Sequence, residues 1–461
     1  MVWLVLALGA ICLLSFVRAG LLIPRPVPLN FNEGWNAYHT ADVAAGRPLY
    51  PDPPALFFTN YPPLSFYVIA PVGRLLGDQM AGGRLVALLS LAAWIGLVAV
   101  VIRRLRCSWT EAGFGAAVLA VYMFVFSDFY VGVNDPQILG HALQMLGLVF
   151  LLRDKRTLGA LAACAVFFAA GVFVKNNLIA LPLAVVAWLL VVDRPNAWRL
   201  IALGAGIGIA GVAVCVAAYG PQFAAQILAP RLYLLAKLVL MGWQWTRRML
   251  LPLAVVIWLA RESARSRRNG LVMAYVVTAI VTGVLFAGGD GVYWNTMFDA
   301  DCALAITAAV ALNRLSARSL NIRGLVPVAY LAAPALVLAL GATVHWLSPR
   351  FWFDPRWSEA AAARNEIAFV RQHDGPAMCE DLSICYWAGK PAEVDVFNMM
   401  ERARSEPWRI ETLVQRIERR EFGVASIGAD GRDLGPGFND ALHRNYRIDH
   451  ASQWGVFWVP R

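Results

Sequence analysis

The sequence predicts an α-helical polytopic membrane protein with a small α/β domain after its last span, and three observations carry that prediction. Of 461 residues, 59% are hydrophobic and only 15% charged, with a mean hydropathy of +0.57; a soluble domain has about 45–50% apolar residues even with Gly counted, and about 25% charged. Apolar runs of membrane-spanning character recur along the chain as far as residue 346. From 347 to 461 the pattern gives way to a polar, mixed-charge sequence. Together these exclude an ordinary cytosolic enzyme, a disordered chain and a protein with one or two anchors.

The runs fall at 3–22, 81–102, 111–128, 136–152, 158–174, 177–192, 197–219, 247–260, 271–287, 297–312 and 324–346, about eleven transmembrane helices. The first lacks the basic start and the small-residue cleavage site of a signal peptide, so it is read as a span. The domain boundary is placed between 346 and 347. Within 347–461, helical patterns occur at 358–372 and 408–420, and strand-like runs at 422–427 and 454–459.

The formal net charge of +10 is split unevenly. Residues 347–461 hold 15 basic and 17 acidic side chains, which leaves 25 basic and 13 acidic in the apolar part. The excess therefore belongs to the membrane region and gives no nucleic-acid surface. It gathers in alternate connections: Arg103, Arg104 and Arg106; Arg153, Lys155 and Arg156; Arg194 and Arg199; Arg261, Arg265, Arg267 and Arg268; Arg314, Arg318 and Arg323. The positive-inside rule puts these loops in the cytoplasm, with the N-terminus inside and the C-terminal domain outside a cytoplasmic membrane. The apolar stretch 62–77 cannot cross without breaking that pattern, so it is read as a juxtamembrane or re-entrant element of the first outer loop, 24–80. A second outer loop, 220–246, carries Arg231, Lys237, Trp243 and Trp245 and suits the interface.

Nine of the thirteen acids in the membrane part fall on the outer side or at outer helix ends, which points to an outward-facing polar site. Glu33 stands among aromatic and amide residues in Phe31-Asn32-Glu33-Gly34-Trp35-Asn36, where a partly shielded carboxylate suits general-base work or a helix cap. Asp135 precedes Pro136 at a span start, as an N-cap would. The helix after it carries Gln137, His141 and Gln144 on one stripe, which should face a cavity or a neighbouring helix rather than lipid. Lys175, with Asn176 and Asn177 in a very short outer turn, suits a phosphate; simple snorkelling is the alternative. Gly204 and Gly208 lie within a span with no preceding strand, so they read as helix-packing contacts rather than a nucleotide loop. Cys12, Cys164, Cys215 and Cys302 read as small core residues, Cys107 as a loop residue, and Cys379 with Cys385 as the one pair placed for a local disulfide. No metal-type Cys or His spacing appears.

The order of these features resembles the GT-C integral-membrane glycosyltransferases that use polyprenyl-phosphate sugars, a group that includes lipid A aminoarabinose transferases, protein O-mannosyltransferases and rhizobial core transferases. The resemblance rests on Glu33…Tyr38…Ala41, Gly46-Arg47-Pro48-Leu49-Tyr50, Tyr61-Pro62-Pro63-Leu64, the acid Asp135, Lys175, the segment Gly288-Gly289-Asp290-Gly291…Asn295…Asp299, and Cys379-Glu380-Asp381…Lys390-Pro391 in the tail. It implies a membrane glycosyltransferase, hexosyl or pentosyl and inverting, that moves a sugar from a polyprenyl-phosphate donor to an outer lipid, glycan or protein acceptor in the cell envelope. It implies Glu33 as catalytic base, and Asp135, Lys175, His141, Tyr61, Arg231, Lys237, Asp290 and Asn295 around the substrate. No cofactor is implied, with a divalent cation left open. Many members carry Asp-Glu where this chain has Asn32-Glu33, which leaves one carboxylate at that place. The rival reading is a transporter or flippase for a lipid-linked or anionic solute; it calls for inverted repeats and polar groups at mid-membrane, and no repeat is found.

Overall fold

The computed structural model describes residues 1–263, 267–317, 321–341, 348–349, 356–402, 405–428 and 436–461. Arg265, Arg318 and the boundary drawn at 346/347 lie outside the described residues.

Every apolar run read from the sequence is helical among the described residues. Among the described residues, seven helical stretches are long and apolar enough to cross a membrane on their own: Val2–Leu22 (α1), Gln79–Arg104 (α4), Trp109–Phe126, Arg194–Tyr219 (α9), Asn269–Ala287 (part of α13, Arg267–Ala287), Trp294–Ala317 and Ile322–Leu340 (with α15, Leu325–Pro327, and α16, Ala333–Gly341). The runs at 136–152, 158–174, 177–192 and 247–260 form the shorter helices Gln137–Leu151 (α6), Leu158–Val174 (α7), Ala180–Val192 (α8) and Leu250–Ser263 (α12). Ordinary capping chemistry sets the starts of two helices of the bundle. Asp78 accepts from the Met80 amide at the start of α4, and Ser108 and Glu111 form a reciprocal capping box at the start of α5, Trp109–Val121. The helix Phe298–Ala317 (α14) runs through the middle of the bundle, with Ala300, Ala303, Ala305, Ala308 and Ala309 fully buried. Small side chains there let its neighbours approach closely.

The glycines of α9 do not pack as expected: Gly204, Gly206 and Gly208 face open space, and only Gly211 meets a neighbour, the Phe173 ring. Cys107 is buried rather than held in an open loop, and Cys12 is only partly buried.

The stretch read from the sequence as the first outer loop folds into two helices, Asn32–Ala45 (α2) and Leu64–Leu76 (α3). The second is short, 13 residues, and Gly77 at φ 72° ends it with a left-handed cap. The second outer loop carries Pro221–Ile227 (α10) and Leu235–Arg248 (α11). Leu235, Val239, Leu240 and Trp243 are exposed along one side of α11, while Met241 and Trp245 are buried on another.

The C-terminal part is a four-stranded sheet in the order β1-β2-β4-β3, with β1 Ala377–Cys379, β2 Val424–Ile427, β3 Tyr446–Ser452 and β4 Gly455–Pro460. β1 and β2 are parallel and the other pairs antiparallel. Helices Trp357–Gln372 (α17), Leu382–Trp387 (α18), Val396–Arg402 (α19), Trp408–Glu418 (α20) and Pro436–Asn445 (α21) surround it. Cys379 and Cys385 are joined by a disulfide between β1 and α18. This part sits on the first outer loop: Tyr38 donates to the Lys390 carbonyl at 2.7 Å, Tyr386 to Asp78 at 3.0 Å, and the Asp395 amide to the Leu56 carbonyl at 2.9 Å. Gly34 lies so close to the α18 backbone that a Cβ there would stand 2.2 Å from the Ser383 nitrogen.

Candidate active site

A cavity of about 340 Å³ opens where the bundle, both outer loops and the C-terminal domain meet. Six separate stretches of chain, together with Tyr130, build its wall. Asn32 opens α2, Asn60 and Tyr61 precede α3, and Lys175, Asn176 and Asn177 form the turn from α7 to α8. Arg231 and Tyr233 lie between α10 and α11, and Gly289, Gly291 and Asn295 come from the loop before α14. Asn398, Glu401 and Arg402 project from α19 of the C-terminal domain at helical spacing, on one face.

Lys175 is held in place by its neighbours. Its Nζ lies 3.3 Å from Asp135 Oδ1 and 4.9 Å from the centre of the Tyr61 ring, and the residue is only 5% exposed. Asp135 Oδ1 also accepts from the Gln137 amide at 2.8 Å, so one carboxylate caps α6 and fixes the ammonium. The stripe on α6 knits helices together. Gln137 Nε2 meets His141 Nε2 at 3.1 Å and reaches the Asn295 carbonyl at 3.3 Å, and Gln144 donates to the Leu178 carbonyl at 2.6 Å. His141 stacks on Trp94 with ring centres 4.6 Å apart and does not reach the cavity.

The loop before α14 is pinned to the second outer loop. The Leu234 amide donates to the Gly288 carbonyl at 2.7 Å and the Asp290 amide to the Leu232 carbonyl at 2.8 Å. Lys237 donates to the Gly289 carbonyl at 2.8 Å and lies 3.8 Å from Asp290, so it supports this loop from behind. Gly291 has φ +69°, and a Cβ on it would stand 2.3 Å from the Phe397 ring. Only glycine fits there.

Charge in the cavity is divided. Arg231 is exposed and has no hydrogen bond or ion pair among the described residues. Arg402 stacks 4.1 Å from the centre of the Phe58 ring and donates to the Gln226 carbonyl at 3.0 Å; burial lowers its pKa to about 10. Glu401 is the one carboxylate in the wall among the described residues. Burial pushes it up to about 7, and the neighbouring Asp290 carboxyl adds to the rise while Arg231 opposes it.

Glu33 is elsewhere. It is completely buried, and each of its oxygens is taken twice. Oε1 accepts from Arg84 Nε at 2.8 Å and the Asn134 amide at 3.0 Å, and Oε2 from Arg84 Nη2 at 2.6 Å and the Leu29 amide at 2.9 Å. Arg84, also completely buried, donates further to the carbonyls of Leu22, Arg25 and Val27. In this conformation the carboxylate locks the start of the first outer loop to α4 and reaches no acceptor; Asn32 beside it is the residue that faces the cavity.

Of the residues singled out from the sequence, then, Tyr61, Lys175, Arg231 and Asn295 line one cavity. Asp135, Lys237 and Asp290 stand directly behind its wall, and Glu33 and His141 are in the packed interior. Sequence reasoning missed Arg84, Asn60, Asn398, Glu401 and Arg402. Arg84 carried a signal: a cation inside an apolar run must find a partner. The α19 residues carried none, because a polar helix in a polar domain reads as a solvated face. Among the described residues, no group of three or more His, Cys, Asp or Glu side chains is placed to hold a metal ion.

Residues 60–219 match the family described as dolichyl-phosphate-mannose-protein mannosyltransferase. Among solved structures, the chain is similar to ArnT from Cupriavidus metallidurans bound to undecaprenyl phosphate, at 18% identity and a TM-score of 0.65, covering 99% of this chain and 97% of that one. The apo state of the same protein gives 17% identity and a TM-score of 0.64. The archaeal oligosaccharyltransferase AglB from Archaeoglobus fulgidus, in complex with an inhibitory peptide and a dolichol-phosphate, is similar at 11% identity and a TM-score of 0.52, over 98% of this chain and 74% of that one. Among curated proteins no sequence matches. The fold is thus of the GT-C type, as the resemblance implies.

Proposed function

We propose that this chain is a membrane glycosyltransferase that moves a sugar from a polyprenyl-phosphate donor to an acceptor on the outer face of a cytoplasmic membrane. Its transmembrane domain spans 1–346 and its outer domain 347–461. The observation that carries the reading is the cavity wall, where Lys175, Arg231 and Arg402 lie among Asn32, Asn60, Asn176, Asn177, Asn295 and Asn398. A phosphate wants charge-assisted donors, and the departing phosphate of a transfer wants them more as its charge grows. Amides present both a donor and an acceptor, which suits the hydroxyls of a sugar. Tyr61, Tyr233 and Phe286 give the apolar surface on which a ring or a prenyl unit can lie. The reading is supported by the matched family and by the lipid phosphates named for ArnT and AglB.

In the transfer, the acceptor hydroxyl attacks the anomeric carbon from the face opposite the phosphate, with inversion, and the cations hold the leaving group. The test is direct. Purified protein should retain undecaprenyl phosphate but not undecaprenol in native mass spectrometry, and Arg231→Ala should weaken that retention about tenfold, the share of one charge-assisted contact. Equal retention of both lipids overturns the reading.

A further inference from the structure

A transfer of this kind needs a group to take the proton of the acceptor hydroxyl, and most carboxylates near the cavity are already occupied. Asn32 faces the cavity but is an amide without basic character. Glu33 accepts four hydrogen bonds and is sealed from the cavity. Asp135 is committed to Lys175 and to the Gln137 amide. Asp395 lines a narrower cleft alongside, but one oxygen accepts from the Asn398 amide at 3.0 Å and the other from Asn398 Nδ2 at 2.6 Å.

Glu401 differs from all of these. It lines the cavity, three residues after Asn398 on the same face of α19; the Leu232 amide is its one backbone donor, and its Oε2 is buried without a hydrogen-bond donor. The group beside it is the Asp290 carboxyl, which can donate only by carrying a proton that the two then share. Arg231 stands across from it and Lys237 behind Asp290, and Arg402 is its neighbour in sequence. A carboxyl so placed is close to the phosphate-binding cations yet not consumed by any of them.

We propose that Glu401, carried by the C-terminal domain, is the general base of the transfer, with Asp290 as the residue that tunes it. This rests on the transferase reading above. The acceptor oxygen forms a bond to the anomeric carbon as the bond from that carbon to the phosphate oxygen breaks. The bonding pair leaves with the phosphate, giving polyprenyl phosphate, and the hydroxyl proton passes to the Glu401 carboxylate and later to water. Because only the ionised form accepts a proton, the rate rises with pH through about 7 and then levels. Removing the Asp290 charge lets Glu401 ionise more readily, so Asp290→Asn moves that rise to lower pH.

The experiment uses full-length protein in detergent and membranes from a strain lacking it, whose lipid carriers have been labelled with tritiated sugars. Loss of label from the organic-soluble carrier fraction measures transfer, and native mass spectrometry measures retention of undecaprenyl phosphate. Glu401→Gln should retain the lipid like the wild type while transfer falls at least about 100-fold, the lower end of what a general base contributes. Glu401→Asp should recover part of the rate, and Asp290→Asn should shift the pH profile downwards. Transfer by Glu401→Gln within threefold of wild type overturns the proposal, as does loss of lipid retention together with transfer, which marks a structural role. An unmoved pH profile in Asp290→Asn overturns the tuning role. A wild type that neither retains the lipid nor transfers label overturns the transferase reading itself, a different failure.

Discussion

Replacing Glu33 with Gln separates a structural role for this residue from a chemical one. Each carboxylate oxygen accepts two N–H donors, one from Arg84 and one from the backbone. A Gln amide keeps one oxygen, so whichever way it is turned its NH₂ confronts two donors and two of the four bonds are lost. Arg84 is then left buried with its charge uncompensated. Breaking a buried pair from one side costs about 3–5 kcal/mol. If the chain unfolds as one unit, an unfolding entropy of about 2.1 cal/mol/K per residue makes that a fall of about 3–5 °C in Tm. Tryptophan fluorescence during thermal unfolding in detergent measures it. A second variant, Arg84→Met on the Glu33→Gln background, should recover only part of the loss, because Arg84 also satisfies three carbonyls of the segment after α1. A Glu33→Gln protein that melts within 1 °C of wild type yet has lost transfer more than about 100-fold, a general base's share, refutes the reasoning. Glu33 would then act on the reacting atoms, as the family resemblance implies.

Three further outcomes follow from the same structure. Lys175→Met removes the cation beside Tyr61 and should weaken undecaprenyl phosphate binding about 10–100-fold, the share of a hydrogen bond to a charged group; a fluorescence titration with unchanged affinity contradicts the placement. Replacing Cys379 and Cys385 with Ser opens a short loop and should destabilise the C-terminal domain by about 2–3 kcal/mol, and alkylation of unfolded, unreduced protein should modify five cysteines rather than seven. His450 sits 2.7 Å from Glu366 and 2.9 Å from Asp449; burial works against its protonated form, but the two carboxylates prevail and raise its pKa. Its contribution to stability is therefore present in acid and fades as pH rises through the raised value, so the pH dependence of Tm should flatten in His450→Gln.

How much of this was legible in the sequence depended on whether a signal was local. The spans were readable because each apolar run is its own signal, and α20 because its apolar residues recur at helical spacing. β3 was not: at the edge of the sheet, Arg447, Ile448 and Asp449 are all exposed, so no alternation marks it. Lys175 and Asp135 were each picked out for their own surroundings, but their pairing across 40 residues was not visible. The surroundings of Glu33 were only half legible for the same reason. Its aromatic and amide neighbours suggest a half-shielded acid, while the partner that holds it is Arg84, 51 residues on, inside a span read only for its hydrophobicity. Glu401 sits in Met400-Glu401-Arg402, which nothing local distinguishes from a solvated helix.

That last residue bears on why such a bundle carries a C-terminal domain at all. The cations come mainly from the bundle and its loops, the carboxyl from α19, and the cavity closes only where the two meet. The meeting is specific. Asn60 bonds Asn398 at 2.8 Å, Arg402 reaches the Gln226 carbonyl, and Arg409 holds the Ala55 carbonyl while stacking on Phe58. Each contact joins a loop of the bundle to the helix that presents Glu401 or to the next one along. A base held this way keeps its place only through these contacts, whereas Lys175 is fixed within the bundle by Asp135. Donor binding and proton removal are therefore partly separable by geometry: weakening the seam, as Arg409→Ala should, slows transfer by more than it weakens retention of undecaprenyl phosphate, because Lys175 and Arg231 stay with the bundle while Arg402 moves with Glu401. A seam variant that loses both together shows instead that the domain is needed to build the lipid site.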